Sequence, residues 1–470
     1  MKKNSLIFII KSFSAKEKRE FKKWLASPIH NQRTDVIALT EYFFHKNHLL
    51  DEKFLKKERV FSKIYPKEKY DDAKMRQTIH FLNKTIEDFL TYNGLKENEI
   101  RAKLALASVL RKKKLTKPYL RAIKSATELQ EKSIINDEHF LRNEYLIQRE
   151  RYIYFEKQKR NVELNLQEMS DALDATYFAD KLRQSCLMLS HQKVYKVEYS
   201  PALIEEILTH IEEGNYFKIP AISIYYYTYM ALTTPDKRQY FDQLKSNIFE
   251  KGHFFTQTEI RDIYLMAINY CIGKMNAGDI SFRKEAFDLY KKGMESKILI
   301  ENNTLSPWSF INIIFNALQL KEFDWAYDFI NRYQSYLPAE HRENFSYYGY
   351  ARYHFEKDEH DKAMEWLGGT DFSDSLLNLN AKMLLLKIYY KKKEMDALES
   401  LLESTRTYLH RKKMVGYHHS VYNNHLRMLR KLVRVNPYSK KDIQNLKKTI
   451  TACNPLLEKD WLLEQLEALE

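Results

Sequence analysis

Glycine is almost missing from this chain. Its 470 residues include ten glycines and ten prolines, about 2% apiece against average usage of roughly 7% and 5%. No glycine precedes Gly94. A β-sandwich or a doubly wound nucleotide-binding fold needs glycine wherever the backbone takes φ > 0 or approaches a phosphate, so both folds are excluded. Cysteine is scarce as well. Cys186, Cys271 and Cys453 lie more than 80 residues apart and form no CxxC pair, which argues against a disulfide framework and for a reducing, cytoplasmic setting.

Long apolar runs are also lacking. Leu6-Ile7-Phe8-Ile9-Ile10 ends at Lys11, short of the roughly 7–15 residues of a signal-peptide core, and reads as a buried first helix. The uncharged windows Ile219–Pro235 and Asn302–Leu320 carry prolines with tyrosines or asparagines and do not match a lipid-facing span of about 20 residues. No membrane span is expected. With 44% hydrophobic and 30% charged residues, the chain has both a core and a solvated surface, which excludes a disordered polymer. The remaining class is all-α.

The net charge of +14 is uneven. Residues 1–120 carry +14, residues 404–451 carry +11 and the last 19 carry −4, leaving −7 for the middle. Two basic segments could steer an acidic partner or a phosphate backbone, or simply solvate helix faces.

Punctuation along the chain supports helices of three to five turns. Ser14 and Glu17 form a capping-box pattern for a helix over Ala15–Ala26, with Phe13 placed as a hydrophobic staple. Helices are expected near Asp35–Asn47 and Lys53–Ile64. A long one follows from Asp71 or Asp72 through Tyr92, with Gly94 just past its end. Phe140–Ala172 shows no obvious breaker and reads as one longer helix or two. No strand pattern is evident. Four segments emerge: a basic helical region 1–115, divergent helical repeats 116–280, clearer repeats 281–410, and 411–470, a basic helix pair with a terminal capping helix at Leu456–Leu469.

The repeat signal is the strongest feature. Segments around Ala326, Ala363 and Ala397 read Lys-Glu-Phe-Asp-Trp-Ala, Asp-Glu-His-Asp-Lys-Ala and Lys-Lys-Glu-Met-Asp-Ala, spaced 37 and 34 residues apart. Each follows an apolar helix and precedes a second one, and Lys284-Glu285-Ala286 offers a weaker copy. A small residue early in the second helix lets two helices approach, and the acidic turn complements the helix dipole. Pro338, twelve residues after Ala326, and Ala351 fit the same pattern.

These residues resemble the tetratricopeptide-like repeat superfamily over about residues 280–410. The N-terminal stretch from Lys11 to Asn31 is similar to the start of bacterial helical-repeat proteins. The resemblance implies a right-handed helical-hairpin solenoid with a basic helical N-terminal region. Some tetratricopeptide domains hold a C-terminal carboxylate with Lys and Asn on first helices. The matching positions here are Ile311 and Phe315, then Tyr348 and Arg352, so that pattern is not present.

Local chemistry is sparse. His210-Ile-Glu-Glu-Gly214 lacks the second histidine of a zinc hydrolase helix, and neither a phosphate loop nor a Gly-x-Ser-x-Gly elbow occurs. Glu205/Glu206 and Glu212/Glu213 read as a solvated helix face. His410, His418, His419 and His425 form the richest histidine cluster; without a nearby carboxylate or cysteine it reads as polar surface beside Arg427, Arg430 and Arg434. His354 and His360 flank a repeat turn. No catalytic residue, metal or cofactor is expected.

Tyrosine is abundant, with 33 residues. An apolar body and polar tip suit both repeat interfaces and partner surfaces. The expected function is that of a non-enzymatic interaction scaffold binding a protein or peptide on its concave face. Its candidate partner-binding residues are Tyr225, Tyr226, Tyr229, Tyr347, Tyr348 and Arg352. The alternative is a nucleic-acid-binding protein using the basic 1–120 and 404–451 segments. Its candidate phosphate ligands are Lys18, Arg19, Lys22, Lys23, Arg411, Lys412, Lys413, Arg427, Arg430 and Arg434.

Overall fold

The computed structural model describes residues 5–45, 48–157, 163–195, 197–370, 372–411 and 416–469. Among them are twenty-three α-helices and one two-residue β-hairpin, so the chain is all-helical. It divides into two compact units, residues 1–184 with 202–222 and residues 185–201 with 223–470. That division is coarser than the four segments drawn from sequence.

The first unit holds α1 (Ser5–Ser12), α2 (Ala15–Ala26), α3 (Thr34–Phe44), α4 (Lys57–Ile64), α5 (Asp72–Glu97), α6 (Glu99–Lys112), α7 (Thr116–Glu131), α8 (Glu138–Phe155) and α10 (Ile204–Glu213), with most of α9 (Leu166–Tyr195). The capping box is present: Ser14 Oγ accepts from the Glu17 N–H at 3.2 Å, and Glu17 Oε2 accepts from the Ser14 N–H at 2.7 Å. Phe13 packs on Phe21, ring centroids 5.7 Å apart, rather than on the N4 position, which Lys18 occupies.

Several boundaries differ from the sequence reading. The helix expected over Lys53–Ile64 is broken at Lys56, whose extended backbone separates a 3-10 turn at Glu52–Leu55 from α4. Helix α5 runs through Gly94 to Glu97: Gly94 is not at positive φ and does not act as a C′ residue, and Asn98 caps the next helix. Of the two readings left open for Phe140–Ala172, the structure has two helices, α8 and α9.

One half-buried carboxylate ties the N-terminal helices together. Asp35, in the first turn of α3, accepts a forked pair of bonds from Arg33 at 3.0 and 2.6 Å. It also accepts from the Tyr65 hydroxyl at 2.6 Å, just after α4, and from the Thr78 hydroxyl of α5 at 3.1 Å. Around this knot Leu6, Phe21, Leu39, Val60, Leu82 and Phe89 form one apolar cluster.

The second unit contains most of α11 (Pro220–Thr233), then α12 (Arg238–Lys251), α13 (Gln257–Asn276), α14 (Phe282–Glu295), α15 (Pro307–Gln319), α16 (Phe323–Tyr333), α17 (Ala339–Glu356), α18 (His360–Gly368), α19 (Ser375–Lys392), α20 (Met395–Arg411), α21 (Gly416–Arg434), α22 (Lys440–Ala452) and α23 (Lys459–Glu467). The hairpin pairs β1 (Ile300–Glu301) with β2 (Thr304–Leu305) across Asn302 and Asn303, both at positive φ. Asparagine tolerates that turn in place of glycine. Helix α15 packs on α16 and α17, α17 on α18 and α19, and α19 on α20.

The three hairpins share one turn. Lys321, Asp358 and Lys393 sit at φ of 61°, 58° and 61°. The N–H groups of Glu322, Glu359 and Glu394 then donate to the carbonyls of Ala317, His354 and Tyr389, five residues back, at 3.0, 2.9 and 3.0 Å. Four residues on, the N–H groups of Ala326, Ala363 and Leu398 return to those glutamate carbonyls. The buried residue of the third copy is therefore Leu398 rather than Ala397, and the spacing is 37 and then 35 residues. Lys114 (φ 57°) closes the α6–α7 hairpin in the first unit the same way, with the Leu115 N–H on the Leu110 carbonyl at 3.0 Å.

A lysine in the left-handed region costs about 1–2 kcal/mol relative to a right-handed residue. Lys393→Gly is expected to raise stability by about 0.5–1 kcal/mol, the relief being partly offset by the freer unfolded chain, whereas Lys393→Val lowers it. Urea unfolding monitored by circular dichroism checks both signs. For the N-terminal knot, the Arg33 and Tyr65 donors overcome the opposing desolvation and hold the Asp35 carboxyl down at about 2 against a usual 3.8. Its stabilisation is complete above pH ~5 and is lost as pH falls through about 4 to 2. Asp35→Asn should remove about 1–2 kcal/mol at pH 7 and flatten that acid limb, as read by thermal unfolding across pH.

Candidate functional site

The residues singled out as partner anchors are mostly interior. Tyr225 and Tyr226, on α11, are buried, and the Tyr225 hydroxyl donates to Glu259 Oε1 at 2.6 Å. Tyr229 is half-buried on the same helix. On α17, Tyr347 meets the Trp366 ring edge-on at 5.0 Å and is half-buried, while Tyr348 and Arg352 are buried. These rings pack between helices, and Arg352 lines a cleft.

That cleft, about 350 Å³, is lined by α14, α15, α17, α19, α23 and the turn before α16. Six residues before the left-handed residue of each repeated turn stand Phe315, Arg352 and Lys387, and all three line it. The Glu458 carboxylate lies between the two cations. Arg352 Nη1 donates to Glu458 Oε1 at 2.6 Å, and Lys387 Nζ donates to Oε2. Arg352 also meets Glu356 Oε1 at 3.2 Å and covers the Phe315 ring at 4.9 Å. Lys387 Nζ stands 4.7 Å from the Phe355 ring centre and 4.9 Å from that of Trp461. At the rim, Arg283 faces Asp460 at 4.0 Å.

Burial sets the electrostatics. Lys387 and Arg352 have 2% and 5% of their side chains exposed, and Glu458 has 16%. Desolvation opposes ionisation of Glu458, yet the two cations hold its carboxyl well below the usual range. Burial and the neighbouring Arg352 push Lys387 down to about 8, even though Glu458 acts in the opposite direction. The Arg352 guanidinium stays charged, and burial pushes the adjacent Tyr348 phenol up to about 12. Among the described residues, three buried N–H donors on cleft residues have no hydrogen-bond partner: Arg283 Nε, Arg352 Nε and Trp461 Nε1.

Sequence reasoning found Arg352 but missed Lys387 and Glu458. Aligning Ala397 instead of Leu398 put the third copy out of register and hid Lys387. Glu458 is 106 residues from Arg352, and no local pattern connects them. The expected terminal cap, α23, does bury Leu462 and Leu466 against α21 and α22. Its N-cap residue also reaches back to α17 and α19. His425 departs from the surface reading: it is fully buried, its Nδ1 lies 2.9 Å from the Leu457 carbonyl, and burial lowers its pKa. His410 is exposed and His419 half-buried, and the side chain of His418 lies outside the described residues. His354 meets Glu359 at 2.6 Å beside the repeat turn. Among the described residues no group of three metal-ligating side chains converges. Cys186 and Cys271 are buried thiols whose pKa burial raises.

The candidate phosphate ligands divide between the two units. On α2, Arg19, Lys22 and Lys23 are exposed, and Lys18 and Lys22 each lie 5.9 Å from the Phe44 ring centre. In the second unit Arg430 pairs with Glu403 at 2.6 Å and Arg434 with Glu399 at 3.6 Å, so α20 neutralises part of the α21 charge. Arg411 and Arg427 are exposed, and Lys412 and Lys413 lie outside the described residues. None of the described helices is long and apolar enough to cross a membrane. Compared with known proteins, the chain matches no family model, and no curated protein aligns with it significantly.

Removing one member of a buried ion cluster leaves an uncompensated charge, whereas replacing a cation that has a neighbour to share its load costs less. Glu458→Ala is expected to destabilise the second unit by about 3–5 kcal/mol, and Lys387→Met by about 0–2 kcal/mol. Because the folded-state pKa of Lys387 lies below its usual 10.5, the wild type gains stability from this group as pH rises from about 8 to 10.5. Lys387→Met abolishes that gain. Denaturant unfolding of both variants at pH 7.5 and 10 tests the assignment.

Proposed function

We propose that the protein is a non-enzymatic interaction scaffold of helical-repeat type, a right-handed tetratricopeptide-like solenoid in its second unit, that binds a protein or peptide segment along its first helices. The observation that carries this reading is the cleft. First helices α15, α17 and α19 contribute Phe315, Arg352 and Lys387 at one register to a common groove, and a carboxylate from elsewhere in the chain is held there. Buried Arg352 and Lys387 are already bonded to Glu458, and the part of the lining left to an extended segment is Phe315, Gln319, Lys321 and Phe323, which offer aromatic faces, an amide and a cation. The anchors differ from the tyrosines suggested by composition: they are exposed Lys321 with half-buried Phe315, Gln319 and Phe323.

The second reading, nucleic-acid binding, draws support from exposed Arg19, Lys22 and Lys23 on α2. It is weaker in the other basic segment, where Arg430 and Arg434 are already paired with glutamates. Capture of partners from the native cell by the full chain, with nuclease and over a salt series, separates the two. The scaffold reading predicts a defined protein that survives both treatments. Lys321→Glu with Phe323→Ala reduces its capture about tenfold or more, and Arg19→Glu with Lys22→Glu leaves it unchanged. Capture that collapses on nuclease treatment, falls steeply with salt and follows the α2 substitutions would overturn the scaffold reading.

A further inference from the structure

A second cleft in the same unit, about 290 Å³ between α20 and α21, has a different chemistry. Arg406 of α20 and Arg427 and Arg430 of α21 line it together with Asn423, Asn424 and a single carboxylate, Glu403. Glu403 is committed to Arg430 at 2.6 Å. Arg427 donates to Asn424 Oδ1 at 3.1 Å and approaches Cys453 Sγ at 3.8 Å, and neither neutralises it. Arg406 is exposed and makes no hydrogen bond or ion pair among the described residues. The cavity therefore carries an excess of two positive charges on planar guanidinium forks.

Three guanidinium groups lining one concave site with a single carboxylate create a local positive potential that favours an anion between them. Guanidinium groups are suited to two-point bonding of tetrahedral oxyanions. A phosphate monoester carries close to two negative charges at neutral pH, which matches the excess. The Asn423 side chain lines the same wall and can donate to an ester or bridging oxygen.

We propose that the α20–α21 cleft is a binding site for a small phosphorylated ligand, with Arg406 and Arg427 as its principal phosphate contacts, Arg430 shared between the ligand and Glu403, and Asn423 at its edge. This site is separate from the cleft around Glu458 and does not depend on what that cleft binds. Two of its members, Arg427 and Arg430, stand out in the sequence as part of a basic stripe. The third, Arg406, is contributed by the preceding helix.

Isothermal titration of the full chain with inorganic phosphate, with pyrophosphate, and with a short oligonucleotide bearing or lacking a 5′-phosphate tests the proposal. The site predicts saturable one-to-one binding of pyrophosphate and, more weakly, of phosphate. Arg406→Gln and Arg427→Gln should each weaken pyrophosphate binding about tenfold or more, the range set by losing one charged hydrogen-bonding partner. Both positions are exposed, so the variants should fold, and circular dichroism checks this. Glu403→Gln should tighten binding, because it frees Arg430 and removes the competing carboxylate, a sign that a merely structural role would not produce. Absence of saturable binding, or binding indifferent to Arg406→Gln and Arg427→Gln, would overturn the proposal. So would arginine-dependent binding of the oligonucleotide that is as tight without its 5′-phosphate as with it, since the ligand would then be a nucleic-acid backbone.

Discussion

The Glu458 carboxylate, lodged between Arg352 and Lys387, is the contact on which the arrangement of the second unit depends. Two cations on adjacent first helices would repel one another in a site this dry. An acid delivered from the N-cap of α23 bonds both, with Glu356 also meeting Arg352, and fastens the C-terminal segment to helices more than 70 residues earlier in the chain. Such a cluster adds little net stability compared with well-packed apolar side chains of similar volume. Its effect is directional: it joins the N-cap of α23 to one register of α17 and α19.

The scarcity of glycine has a structural counterpart at the turns. Left-handed residues are required where one helix reverses into the next, and this chain fills those positions with Lys114, Lys321, Asp358 and Lys393. Each carries backbone strain that the repeated carbonyl–amide pattern and the burial of Tyr119, Ala326, Ala363 or Leu398 offset locally. A glycine takes the equivalent place in the α13–α14 turn, Gly278 at φ 104°, where the Asp279 N–H reaches the Lys274 carbonyl at 3.0 Å.

Much of the fold was legible in the sequence because its signals are local. The Ser14–Glu17 capping box, the breaks at proline, and the acidic turns before Ala326 and Ala363 each act within a few residues. What escaped was set by tertiary contact or by register. Gly94 lies inside a helix, where it needs no left-handed backbone, and Lys56 breaks one through its extended backbone. A single-residue shift moved the third repeat from Leu398 to Ala397 and concealed Lys387. The tyrosine-rich strings were conspicuous by composition, yet their rings lie mainly between helices, where hydrogen bonds such as Tyr225 to Glu259 satisfy their polar ends. The cleft residues carry no compositional mark, since a lone Lys, Arg and Glu on three distant helices look like ordinary surface charge.

A double-mutant cycle between Lys387→Met and Glu458→Gln, measured by denaturant unfolding at neutral pH, tests the central interaction most directly. If the two side chains form one buried ion cluster with Arg352, the double variant should be more stable than the sum of the single losses predicts, with a coupling of about 1.5–3 kcal/mol. Additivity within about 0.5 kcal/mol would mean that Glu458 is not held by Lys387 in the folded protein, and would contradict the account.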